Sequence, residues 1–169
     1  FYAYQLFVQW DTSAVGTDTV SNVEFDTDGF SAPAETVTCE AYEYDWGATT
    51  VIAEFRDSDT VIPALGSVIA TRSSTGWDTG TGYNNDMGAT AAFNDAIDGS
   101  GTTRIVMLAQ EQRTESEVAD ETDNRFRFEV TGNTNDARLT ITHTAANIYT
   151  AIDDDPDTPD GTVIQATAS

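Results

Sequence analysis

The sequence contains no lysine, one cysteine, one histidine and four prolines in 169 residues. Each scarcity removes a class of chemistry. A lone cysteine, Cys39, excludes an internal disulfide and any cysteine-rich metal centre, and in the middle of a strand it reads as a small buried hydrophobe. One histidine, His143, cannot join the clustered histidines and cysteines that zinc requires. No Gly-x-Ser-x-Gly elbow accompanies it, so nucleophilic catalysis lacks its parts, and His143 reads as a satisfied imidazole at a strand end. No run of about 18 apolar residues exists to span a bilayer as a helix. Basic residues are the scarcest class relative to their opposites: seven arginines face 29 carboxylates, for a formal net charge of −22. Without a basic stripe there is nothing to neutralise phosphates, which excludes nucleic acid and an anionic membrane surface as partners.

What is present in excess is negative charge. Repulsion among exposed carboxylates opposes compaction until salt shortens the Debye length to about 3 Å at 1 M. The composition therefore points to a saline setting or bound cations, or else to a plainly acidic extracellular protein. Hydrophobic residues make up 39% and aromatics 10%, a globular composition. The length suits one domain with a full core. The chain opens at Phe1 rather than Met, which reads as a processed product or a piece of something longer.

The organising stretch is Thr36 to Gly47, TVTCEAYEYDWG, rich in β-branched and aromatic residues. It reads as a long strand ending in an acidic aromatic turn. Alternation places Val37, Cys39 and Ala41 on a core face. Thr38, Glu40, Tyr42, Tyr44 and Trp46 fall on a second face that is core, partner surface or ligand surface. Tyr2 to Trp10 alternates with period two from the first residues, Val20 to Asp26 makes a short strand, and Asp11 to Thr19 and Asp26 to Pro33 are turn-forming. Thr49 to Phe55 is apolar without firm period, SVIAT within Val61 to Arg72 is strand-like, and Ser73 to Asn85 is a glycine-rich loop. Met87 to Asp98 is the one predicted helix, stopped by Gly99. Thr102 to Gln110 reads as a central strand and Glu111 to Asp123 as a solvated loop. Arg125 to Val130 and Ala137 to His143 alternate across the hairpin-type connector TGNTND. Regularly spaced strands with a single helix predict an all-β fold, a jelly-roll-like antiparallel β-sandwich with one short helix, over residues 1–145.

Residues 146–169 differ in character. The stretch DDDPDTPDG holds two prolines and five aspartates, an extended acidic hinge, and Thr162 to Ala168 reads as one further strand. Asp153, Asp155, Asp157 and Asp160 supply hard oxygens at spacings a calcium ion would accept, and calcium is the only candidate cofactor. The match to an EF-hand loop fails, since Thr158 stands where its glycine belongs and Ile164 where its bidentate glutamate belongs. The alternative is a solvated hinge. The segment Thr162, Val163, Ile164, Gln165 and Ala166 is suited to β-augmentation, either donated to a neighbouring subunit or leading to a following domain.

The aromatic loops suggest a glycan platform as an alternative: Trp46, Trp77, Tyr42 and Tyr83 to stack on sugar rings, with Asp78, Asn84 and Asn85 to hydrogen-bond them. Tryptophans at sandwich-strand ends also commonly plug the core. Among 29 carboxylates some pair always satisfies a glycosidase spacing by chance, so no catalytic residue is assigned.

The runs FVQWDTSAVGTDTVSNVEF, TVTCEAYEYDWG, SSTGWDTGTGYNND, AAFNDAIDGSGTTRIVMLAQE and FRFEVTGNTNDARLTITH resemble jelly-roll modules of phage tail and other virion proteins and of secreted multi-domain bacterial proteins. These are akin to the DNRLRE-domain and carbohydrate-binding-module group, and the tail is similar to the opening of a further such module. The extreme acidity departs from the group. The resemblance implies a non-enzymatic structural module such as a fibre, tail, decoration or surface-filament subunit, located outside the cell, on its surface or in a virion. Its partners would be copies of itself or other subunits of the same assembly. Surface glycans are the alternative partner.

Overall fold

The computed structural model describes residues 5–33, 35–47, 65–80, 82–114, 127–128 and 137–145. The described elements run β1 (Leu6–Asp11), a 3-10 turn (Ser13–Val15), β2 (Thr19–Thr27), β3 (Gly29–Ser31), β4 (Thr38–Glu43), β5 (Val68–Ser73), β6 (Asn85–Asp86), α1 (Ala91–Asp95), β7 (Thr102–Ala109), α2 (Gln110–Arg113), β8 (Arg127–Phe128) and β9 (Arg138–Thr144). The predicted element Thr49 to Phe55, the calcium candidates Asp153, Asp155, Asp157 and Asp160, and the assembly strand Thr162 to Ala166 lie outside the described residues.

Two antiparallel sheets face each other, one of four strands in the order β1-β7-β4-β5 and one of three in the order β6-β2-β9, with β3 and β8 as a separate pair. This is the all-β sandwich that the alternation predicts. Val8 of β1, Cys39 and Ala41 of β4, Ile69 of β5, and Ile105 and Met107 of β7 meet Val23 and Phe25 of β2 in one core, which Phe93 of α1 and Trp77 join. Phe25 anchors its centre, with Trp10 and Phe93 set edge-on to it at 5.4 and 6.2 Å between ring centroids.

The central strand is β7, paired with β1 from Leu6↔Met107 to Asp11↔Thr102 and with β4 from Cys39↔Ala109 to Glu43↔Ile105. Its run of apolar residues reflects burial on both faces, since Val106 and Leu108 point away from the main core into a second cluster with Tyr42. Of the second face, Glu40 and Tyr42 are thus buried, while Thr38 and, beyond the strand, Tyr44 and Trp46 are half-buried.

Several boundaries differ from the sequence reading. The strand in Thr36 to Gly47 is confined to Thr38–Glu43. The helix predicted over Met87 to Asp98 is confined to Ala91–Asp95. Met87 donates its N–H to the Phe25 carbonyl, and Ala89 bridges Ala70, so the preceding residues are drawn onto the sheet edges instead. Gly88, at φ 64°, passes so close to the Thr71 carbonyl that no Cβ would fit there. The predicted loop Asp26 to Pro33 contains β3, and the predicted solvated loop after Gln110 begins with α2.

Candidate interaction surfaces and the buried ion pair

A dense polar constellation among the described residues lies in the second cluster, on the face of the four-stranded sheet away from the main core. Glu40 is 3% exposed, although it sits between Cys39 and Ala41 in the middle of β4. Its carboxylate accepts hydrogen bonds from Tyr42 Oη at 2.6 Å, Arg113 Nε at 2.7 Å, Arg113 Nη2 at 3.0 Å and Gln110 Nε2 at 2.8 Å. Burial alone would raise its pKa strongly. The donors from Arg113, Tyr42 and Gln110, together with the Arg113 charge, outweigh that and hold the carboxyl below the ordinary glutamate range. Burial and then the Glu40 carboxylate push the Tyr42 phenol up, and the bond to Glu40 raises the Arg113 guanidinium.

The arrangement fastens α2 to β4. Glu111 adds to it by accepting from the Thr38 N–H at 3.2 and 3.3 Å. A carboxylate whose hydrogen-bonding capacity is taken by fixed protein donors is a structural anchor, not a general acid or base. Cys39 behind it is buried, and desolvation followed by the charges of Glu40 and Glu111 pushes its thiol up to about 12. It is the inert small hydrophobe that its position suggests.

The residues expected to form a glycan platform are dispersed. Trp77 is 8% exposed and belongs to the main core, and Tyr42 is 3% exposed. Neither offers a ring to a ligand. Trp46 is half-buried over the four-stranded sheet, edge-on to Phe7 at 5.3 Å and with the Arg104 guanidinium 5.9 Å from its ring. Arg104 also pairs with Asp45 at 2.9 Å. Tyr83 lies in the bend before β6, where Arg138 of β9 stacks on it at 4.1 Å and binds Asp26 of β2 at 2.8 Å.

The polar members of the set hold their own loop together. Asn85 is fully buried; it accepts from the Asp78 N–H at 2.9 Å and donates to the Asp78 carbonyl at 2.8 Å. Asp78 Oδ1 accepts from the Gly80 N–H at 2.7 Å, and Asn84 donates to the Gly80 carbonyl at 3.3 Å. Gly29 is needed beneath this loop, because a Cβ there would collide with the Asp78 carbonyl, the Asn85 amide and the Trp77 indole.

His143 Nδ1 lies 2.6 Å from Asp18 Oδ2, tying the end of β9 to the turn before β2. A cleft of about 430 Å³ opens between the end of β4, the start of β5 and α1, its lining including Glu43, Tyr44, Asp45, Ile69, Asp95 and Ala96. No group of three or more metal-ligating side chains occurs among the described residues. Nor is any helix among them long and apolar enough to cross a membrane.

No family model, no curated protein and no solved structure matches the chain.

Proposed function

We propose that this chain is a non-enzymatic structural module of an extracellular or virion assembly, a fibre, tail, decoration or surface-filament subunit of the jelly-roll type, working with copies of itself. The observation that carries the reading is the fate of the two aromatic loops. Instead of lining one concave patch, Trp77 and Asn85 go into the interior, while Trp46 and Asp45 pack on Phe7 and Arg104. Among the described residues, buried polar side chains hold elements to one another, as Glu40 holds α2 and Asn85 holds its loop. Such a body suits a load-bearing unit whose surface charge keeps it soluble at high ionic strength.

The test is the native mass in 2 M NaCl by sedimentation equilibrium, for the whole chain and for a variant lacking Thr162 to Ser169. Assembly of the whole chain, weakened by the truncation, supports a subunit that donates its C-terminal strand. A monomer at every concentration and salt level overturns the reading. The alternative, a carbohydrate-binding adhesion module, draws on the half-buried Trp46 beside Arg104. It is tested on a glycan array at the same salt with Trp46→Ala as control, and absence of any tryptophan-dependent binding removes it.

A further inference from the structure

We infer that β9 is a self-pairing edge, at which two copies of this chain join across a two-fold axis into one continuous sheet. The inference rests on the reading that the partner is a second copy, and goes beyond it by naming the surface. Among the described strands β9 has one neighbour, β2, paired from Thr19↔Thr144 to Asp26↔Arg138. Its seven residues, RLTITHT, include no proline or carboxylate, the residues that blunt an edge strand. In a chain of net charge −22, it is also a place where two copies approach without opposing like charges.

Two features mark the edge as unfinished. Ile141 lies directly across from Val23 on the core-facing side, yet Val23 is 5% exposed while Ile141 is only half-buried. Thr140, Thr142, His143 and Thr144 are all exposed. The second feature is the palindrome Thr140-Ile141-Thr142. Antiparallel pairing of β9 with itself about Ile141 sets Ile141 against Ile141 and each Thr140 against a Thr142, so that the apolar side chains cover one another and β-branched hydroxyl residues pair. Of the other sheet's two edge strands, β5 differs, because Thr71 and Ile69 already bond Gly88 and Thr90.

The experiment uses the full chain in 2 M NaCl. Ile141→Cys places a thiol on the axis, where directly opposed antiparallel residues stand about 4.5–5.5 Å apart at Cα, within disulfide reach. Air oxidation of that variant should give a covalent dimer, whereas Thr71→Cys should not, and the buried Cys39 stays silent in both. Thr140→Asp with Thr142→Asp should weaken the wild-type dimer at least tenfold in sedimentation with an unchanged melting temperature. The Thr162 to Ser169 truncation should keep the dimer.

Three results would overturn the pairing. An Ile141→Cys chain that stays monomeric on oxidation is one, including the case where its thiol is shielded from maleimide by another part of the same chain. An unaltered dimer in the double aspartate variant is another. Loss of the dimer on truncation would hand the partnership to the C-terminal segment, and would leave the broader reading of a self-assembling subunit standing.

Discussion

Glu40 shows how one residue's chemistry depends on what the chain brings to it. A carboxylate buried alone would be protonated or expelled, yet four donor contacts from Tyr42, Gln110 and Arg113 keep it charged. Glu40→Gln should therefore cost about 2 kcal/mol, or roughly 4–8 °C in Tm for a chain of this size, measured by calorimetry at pH 7. Because the folded pKa is depressed, this contribution is present in full above the unfolded value near 4.3 and is lost as pH falls through the folded value. The difference between wild type and Glu40→Gln should accordingly shrink below about pH 4. A difference that persists undiminished at pH 2.5 would show that the charge on Glu40 is not what stabilises. Cys39 behaves in the opposite way: with its thiol pushed up to about 12, it should resist iodoacetamide at pH 8 in the folded protein and react fully in guanidinium.

Among the elements, the loop Trp77–Asn85 is the most instructive. Asn85 bridges both backbone groups of Asp78 and so delivers Trp77 to the core. Asn85→Ala should leave those groups unpaired at a cost of about 2–3 kcal/mol. It should also shift tryptophan emission to the red as Trp77 gains water, and unchanged emission would mean that the indole is held without the clamp. The strands β4, β7 and β9 were readable because their alternation is local. The short form of α1 was not, because residues 87–89 are drawn to Phe25 and to β5 by contacts remote in sequence. The signal for the Glu40 site was present but ambiguous: a glutamate inside an apolar strand, and an arginine within an acidic run. Joining them needed a contact across 73 positions.

Across the molecule, charge dominates. At net −22 the folded state suffers more self-repulsion than the expanded chain, and salt relieves it as the Debye length falls from about 10 Å at 0.1 M to about 3 Å at 1 M. The melting temperature should rise by at least about 5 °C over that range. The rise should be similar in sodium and potassium chloride if screening alone acts, and a flat response would mean that the carboxylates are far enough apart not to matter. The same screening governs assembly, so the β9 pair should strengthen with salt.

Composition and period-two alternation are local properties, and they sufficed to assign the class of this protein, an acidic, strand-rich sandwich. Which polar and aromatic residues are interior was settled by the packing of the sheets and by nothing local. Tyr42, Trp77, Asn85 and Glu40 have side chains that suit a ligand surface as well as a core. Burial depends on what packs over them, and a hydrogen-bonding group can be interior only where the fold supplies its partners.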